Sequence, residues 1–275
     1  MTVTEALSYL KEQLKDITDE VANEAKIIVA HLVGTEPSRL PFSCKTVEKE
    51  EIDRFISRRR QGTPLQYILG KWWFYKSEFL VGEGVLIPRQ DTELLVETAL
   101  EIIKDVKNPQ VCDLCSGSGC IAISIALDRP DSNVVAVEKY DSAYEYLLKN
   151  IEHNKVQNVK PVKADVTENS FGKYDIIVSN PPYIPKTDEK DLSREVLSEP
   201  HTALFGGQDG LCFYREIAAK WKNCLKENGL LAFEVGIKEA DMVADILKSN
   251  GFINITLKND LIGIERVVFG TANNV

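Results

Sequence analysis

The sequence predicts an α/β protein: a seven-stranded, mostly parallel sheet covered by helices, preceded by a small helical N-terminal region and joined to it by a β-hairpin. Three observations predict it. Apolar residues recur at helical spacing through the first sixty positions. A run rich in aromatic and β-branched residues follows at Lys71–Leu86. From Pro109 onward, short apolar runs alternate with amphipathic segments, the pattern of a sheet covered on both faces.

Ala6, Leu7, Leu10 and Leu14 share one helical face, as do Val21, Ala25, Ile28, Val29 and Leu32. Gly34 ends the second helix, and Glu36-Pro37-Ser38 reads as a loop. A third helix runs from Glu48 to the basic end Arg58-Arg59-Arg60, which either complements the helix dipole or touches an anionic partner. The hairpin is expected over Lys71–Leu86 with Gly82 and Gly84 in its middle, and a helix over Asp91–Val106. Strands are predicted at 111–114, 133–137, 162–163, 174–179, 229–234, 253–257 and 265–269, the last two forming an antiparallel edge. Helices are predicted at 119–127, 142–154, 211–227 and 240–249. The domains expected are a helical domain at 1–65, a linker with the hairpin at 66–88, and an α/β domain at 89–275.

With 275 residues, the chain can bury a core without disulfide or metal staples. No apolar run approaches the roughly 20 residues of a membrane span, and the acidic amphipathic start is unlike a signal peptide. A cytoplasmic protein without a membrane partner is expected. The net charge of −9 divides into −1 over residues 1–85 and −8 over residues 86–275, which argues against a large phosphate-tracking surface. The six cysteines read as reduced thiols. Cys112 and Cys115 have CxxC spacing without a second pair, and His31, His153 and His201 fall in no ligand pattern, so no metal site is expected.

Asp113-Leu114-Cys115-Ser116-Gly117-Ser118-Gly119 passes from a strand into a helix, where glycines let a ligand approach the backbone. Glu138 ends the next strand, placed to accept hydrogen bonds from ribose hydroxyls. Gly117-x-Gly119-x-x-Ala122 also fits a dinucleotide fingerprint, so the loop alone leaves a dinucleotide and S-adenosylmethionine open. Asp113 favours the latter, since a carboxylate in the turn repels a pyrophosphate and tolerates a cationic sulfonium. Asp165 and Val166, after the third strand, are placed to read an adenine edge or to be an ordinary loop.

The second feature favouring S-adenosylmethionine is Asn180-Pro181-Pro182-Tyr183, which follows the strong fourth strand. The prolines fix φ and remove N–H groups, so the segment is stiff and presents acceptors: the Asn180 side-chain oxygen and the Pro181 carbonyl. Tyr183 adds a flat face for a planar group. A planar –NH2 group matches this arrangement. Its two hydrogens go to the two acceptors, and the acceptors stabilise positive charge growing on nitrogen as it attacks a methyl carbon.

The chain resembles the protein-(glutamine-N5) methyltransferases of peptide chain release factors, the HemK/PrmC family. The resemblance rests on the Asn-Pro-Pro-Tyr segment and on Gln66-Tyr67-Ile68-Leu69-Gly70 and Leu86-Ile87-Pro88-Arg89-Gln90-Asp91-Thr92-Glu93. It extends through Glu199-Pro200, Ala203-Leu204, Gly206-Gly207-x-Asp209-Gly210-Leu211, Glu234-Val235-Gly236, Asp260, Gly263 and Arg266. It implies a Rossmann-like methyltransferase sheet, S-adenosylmethionine as donor with S-adenosylhomocysteine as product, and the glutamine of a release factor's Gly-Gly-Gln motif as acceptor. Carried over, Asn180 and Pro181 hold the amide hydrogens, Tyr183 stacks with Pro182 beside it, and Cys115 to Gly119 (with Ser116, Gly117 and Ser118) cradles the methionine part. Glu138 takes the ribose and Asp165-Val166 the adenine. The N-terminal domain helps bind the release factor; a monomer and no direct nucleic-acid partner are expected. Cys115 stands where the family usually has glycine, Glu138 where aspartate is commoner, and Glu239 where glutamine is frequent. Two competing readings share parts of this pattern: an adenine-N6 methyltransferase acting on DNA or RNA, and a non-enzymatic sensor of S-adenosylmethionine or a dinucleotide.

Overall fold

The computed structural model describes residues 1–273. It divides into two compact units, one of Met1–Lys71 with Ser193–Ser198, the other of Trp72–Leu192 and the chain from Glu199 onward.

The first unit is helical: α1 (Val3–Leu14), α2 (Val21–Val33), α3 (Lys49–Arg60) and α4 (Leu65–Leu69). Thr2 caps α1 in a reciprocal capping box with Glu5. The predicted apolar stripes meet in one core that includes Leu10, Leu14, Ile28, Val29 and Ile52. Pro37–Phe42 is a 3-10 helix rather than the expected loop, with proline at its first position, where a missing N–H costs nothing. The basic end of α3 is used internally at its middle residue. Arg59 is buried and paired with Glu24 (2.5 Å) and Glu195 (2.8 Å), so it neither caps the dipole from solvent nor reaches an outside anion.

Next in the chain come two paired strands, β1 (Lys71–Phe74) and β2 (Ser77–Leu80). Their turn is Tyr75-Lys76, with Tyr75 in the left-handed region, so Gly82 and Gly84 lie beyond the hairpin and not in its middle. A 3-10 turn, Gln90–Thr92, leads into α5 (Glu93–Ile102), which is shorter than expected. Then come β3 (Gln110–Leu114), α6 (Cys120–Asp128), β4 (Asn133–Glu138), α7 (Asp141–His153), β5 (Val159–Lys163) and β6 (Tyr174–Ser179). After a 3-10 helix (Lys186–Asp191) and two single helical turns (Arg194–Leu197 and His201–Leu204) come α8 (Cys212–Trp221), β7 (Leu225–Glu234), α9 (Ala240–Ser249), β8 (Phe252–Asn259) and β9 (Glu265–Ala272). The helix expected to reach Glu227 stops at Trp221, and the chain is already strand at Leu225, paired with Tyr174.

The seven-stranded sheet has the order β5-β4-β3-β6-β7-β9-β8. Pairs from β5 to β7 are parallel, and β9 runs antiparallel to β7 and β8. This is the mostly parallel, seven-stranded sheet with an antiparallel edge that the strand–helix alternation predicts. Successive residues point to opposite faces. Cys112, Leu114 and Ile177 meet α8 and α9 on one face, while Val111, Ile176 and Val178 meet α5 and α6 on the other. The order reverses between β3 and β6, the switch point beyond which open α/β sheets bind ligands.

Candidate active site

The register fixes which residues leave the sheet together. Leu114 pairs with Val137 and Ser179, and Ser179 pairs with Phe233. The next residue on each strand therefore falls in one row across the carboxyl edge: Glu138, Cys115, Asn180, Glu234. The Ser179 hydroxyl donates to the Leu114 carbonyl (2.8 Å), tying the two central strands where their loops begin.

The loop after β3 is a tight crossover into α6. Cys115 has φ +59°, the left-handed conformation glycine would occupy most easily, so this position carries its side chain at the cost of backbone strain. Asp113 lies fully buried beneath the loop. Its Oδ2 accepts from the Ser116 hydroxyl (2.5 Å) and the Ala122 N–H (3.2 Å), and Oδ1 has no partner among the described residues. Burial pushes this carboxyl up to about 7. Asp113 thus anchors the turn.

Glu138 is buried. Oε2 accepts from Gly117 N–H (2.9 Å), and Oε1 from the N–H groups of Lys139 and Tyr140 (2.8 Å each). Burial raises its pKa and the three backbone donors oppose the rise. The donors aim the carboxylate and leave acceptor capacity at Oε2. Asp165 accepts from Thr167 N–H (2.8 Å) and hydroxyl (2.7 Å) and pairs with Lys139 (2.6 Å), so its carboxylate is held as a turn.

One cleft joins these pieces. Cys115, Ser116, Gly117, Ser118, Glu138, Asp165 and Val166 line it, together with Asn180 and Pro182. Asp113 and Gly119 support it from behind: a Cβ on Gly119 would lie 2.5 Å from Leu147 Cδ1. Pro181 and Tyr183 are not among its lining residues, and Tyr183 is half-buried with its ring beside Gly236. Burial pushes the Tyr183 hydroxyl up, with Arg266 and Arg89 opposing, so it stays protonated.

Asn180 donates from Nδ2 to the Thr92 hydroxyl (3.1 Å), which leaves its carbonyl oxygen for other partners. The sequence reading assigned Thr92 no role in the site. The only sequence signal was its place in the segment that carries the family resemblance. The other resemblance segments brace the same loop. Ile184 N–H donates to Leu204 O (2.8 Å), Gly206 N–H to Ile184 O (3.0 Å) and Lys186 N–H to Gly207 O (2.9 Å). Buried Glu199 accepts from Ile87 N–H (2.9 Å) and pairs with Arg89, fixing the segment that carries Thr92. Arg266 bridges Asp91 (2.8 Å) and Asp260 (3.3 Å).

The cleft fits S-adenosylmethionine. A Cβ added at Gly117 would meet nothing within 4 Å, so this backbone is open for a ligand to approach, and the buried Glu138 carboxylate lies on the same wall. A model of the methyltransferase small domain matches residues 90–210, and a model of the PrmC N-terminal domain matches residues 5–70. Fold and cleft together define an S-adenosylmethionine-dependent methyltransferase. A release factor glutamine methyltransferase of Fusobacterium nucleatum is 37% identical over 257 residues, covering 89% of this chain and 72% of that protein. One of Aquifex aeolicus is 34% identical over 272 residues, covering 94% of each. The chain belongs to the release factor glutamine methyltransferase family. The hMettl16 catalytic domain, solved in complex with the MAT2A 3'UTR hairpin 6, superposes with a TM-score of 0.60 at 15% identity over 94% of this chain and 84% of that one. At that identity the likeness concerns the fold alone.

Proposed function

We propose that this protein transfers a methyl group from S-adenosylmethionine to the side-chain amide nitrogen of the glutamine in the Gly-Gly-Gln motif of peptide chain release factors. The observation that carries the reading is the Asn180 amide: its nitrogen is engaged by Thr92, its oxygen is free to accept, and it lines the same cleft as Glu138. Bound S-adenosylmethionine supplies an electrophilic methyl group whose transfer to nitrogen leaves a neutral thioether. Asn180 Oδ1 and the Pro181 carbonyl accept the two amide hydrogens and turn the nitrogen toward the methyl carbon. The two acceptors bear on the nitrogen as it becomes positive, so they stabilise the transition state more than the ground state. The alkylated nitrogen is acidic and releases one proton, so no strong base is needed. Tyr183, buttressed by the Gly206–Gly210 segment, takes the amide plane, with Pro182 beside it. Glu138 holds the ribose, Asp165 and Val166 the adenine, and the turn from Cys115 to Gly119, anchored by Asp113, the methionine part.

In this reading residues 1–65 help recognise the release factor, 66–88 are the linker with the hairpin, and 89–275 carry out the transfer. The enzyme acts as a monomer in the cytoplasm, without a nucleic-acid partner. Among the described residues no helix is long and apolar enough to cross a membrane, and the acidic balance of residues 86–275 disfavours a nucleic-acid channel.

The test is methyl transfer from labelled S-adenosylmethionine to a release factor, to the same factor with its Gly-Gly-Gln glutamine replaced by alanine, and to duplex DNA. Label is expected on the intact factor alone and is expected to disappear with Asn180→Ala. Label on DNA would refute the reading in favour of an adenine amine as acceptor.

A further inference from the structure

The turn between β8 and β9 lies at the same edge of the sheet as the Asn180 loop. β9 runs antiparallel to β7, with Glu234 opposite Val267, and Asn259 of β8 pairs with Glu265. Residues 260–264 therefore leave the sheet where β6 and β7 end. In the order β6-β7-β9, two strand spacings separate β9 from β6, or roughly 10 Å.

The tip of this turn is apolar and bare: Leu261 is fully exposed and Ile262 is 82% exposed. The backbone beneath it is fixed. Asp260 N–H donates to Ile264 O (2.8 Å), and Gly263 N–H to Asp260 O (3.1 Å). Asp260 Oδ1 accepts from the N–H groups of Ile262 (3.0 Å) and Ile264 (2.9 Å), and Oδ2 accepts from Arg266 Nε (3.3 Å). Gly263, at φ +88°, lets the chain turn back. Arg266 reaches on to Asp91 (2.8 Å), whose neighbour Thr92 holds the Asn180 amide. The tip is thus fastened to the segment that orients Asn180. Ile237, in the loop after β7, adds a half-exposed apolar side chain on this edge, two residues past the bond from Val235 N–H to Arg266 O (2.9 Å).

We propose that Leu261 and Ile262 form a fixed docking point for the release factor, seating against an apolar patch beside its Gly-Gly-Gln loop. The inference rests on the function proposed above. The two glycines before the target glutamine offer no side chains, so a release factor is told from other glutamine-bearing chains by contacts outside the motif. A protein that covers about 800 Å² of this face while inserting one side chain into the cleft also covers ground about 10 Å away. Apolar side chains on an already ordered turn gain from burial without an ordering cost. The surroundings state the rest of the partner's chemistry. Residues 86–275 carry a balance of −8, so the apolar patch that meets the tip is bordered by basic residues.

The experiment measures kcat and KM for methyl transfer by the full chain to an intact release factor. Calorimetric S-adenosylmethionine affinity, thermal denaturation and sedimentation are measured beside it. Leu261→Ser combined with Ile262→Ser is expected to raise KM for the factor about 10-fold or more, with kcat at saturation, cofactor affinity and Tm as in the wild type. Leu261→Met combined with Ile262→Val keeps the tip apolar and is expected to restore KM. Wild-type KM in the double serine variant overturns the proposal. So does a lower kcat at unchanged KM, since the tip would then act only through Arg266 on the Asn180 loop. Wild-type dimers that the double serine variant loses would assign the tip to a second copy of this chain and overturn it too. If the double variant does not fold, unchanged KM in Leu261→Ser alone overturns it. A wild-type enzyme that leaves the release factor unlabelled sinks the function proposed above, a result read before any variant is compared.

Discussion

Alanine at position 210 would place a Cβ 2.3 Å from the Tyr183 carbonyl oxygen and 2.8 Å from Glu239 Oε1, on a backbone with φ +78°. The left-handed conformation costs an L-residue about 1–2 kcal/mol. Insertion into a filled site costs about 1–3 kcal/mol more, since the Tyr183 obstacle is backbone and not a side chain that can swing away. The sum is about 2–5 kcal/mol, released in one of two ways. If the Tyr183 loop stays in place, Tm falls by about 2–4 °C for each kcal/mol. If the loop yields, Tyr183 and Asn180 move relative to the cofactor, and kcat drops on the order of 10²-fold. Cofactor affinity is expected to hold in either case, because neither Glu138 nor the loop after β3 is touched. Gly117→Ala is the control for backbone cost alone, since its Cβ meets no atom within 4 Å. Thermal denaturation, calorimetric titration with S-adenosylmethionine and single-turnover methyl transfer on Gly210→Ala read the three quantities. A variant with wild-type Tm and wild-type kcat would refute the reasoning.

Glu138→Ala removes the carboxylate that three backbone donors orient, and is expected to weaken S-adenosylmethionine at least 10-fold, or about 1.4 kcal/mol, while Tm changes little; calorimetry decides. Folding raises the Asp113 carboxyl from 3.8 to about 7, so between those values the native state holds a proton that the unfolded chain has released. Stability therefore falls as pH rises through that window and levels off above it. Asp113→Asn is expected to make urea unfolding less pH-dependent there by about one proton, and an unchanged slope would count against the burial argument. Arg59→Ala strands Glu24 in the core of the first unit and should cost about 3–5 kcal/mol, read as a lower urea midpoint for that unit.

The central sheet and both loops were legible because local signals agree there. Tyr174–Ser179 carries the β-branched apolar run Ile176-Ile177-Val178, and prolines or glycines follow it and β3 within three residues, so strand ends and loop chemistry were marked together. The row Glu138, Cys115, Asn180 needs only that strand ends align in a parallel sheet. Thr92 was not legible as a partner of Asn180, since 88 residues separate them and a threonine before a helix reads as a cap. Nor was the burial of Arg59, because three consecutive arginines look alike until tertiary packing selects one. The hairpin turn was misplaced because glycine is the strongest turn signal, whereas Tyr75 adopts the left-handed region without it. The expected helix over 211–227 overran because the chain re-enters the sheet at Leu225, a pairing with Tyr174 that no local preference encodes.

The first unit is written in the chain in two instalments. Glu195 pairs with Arg59, and the Ser198 hydroxyl donates to Gly62 O (3.0 Å), each from 136 residues further along. During synthesis the four helices of this unit leave the ribosome long before that second instalment exists. At about 5–20 residues per second the interval is roughly 7–27 s, far longer than helix formation requires. Throughout it the Arg59 guanidinium has Glu24 but not Glu195, so the nascent helical unit matures only after the Asn-Pro-Pro-Tyr loop has itself been made. A fragment ending at Lys71 is for the same reason held permanently at the nascent stage.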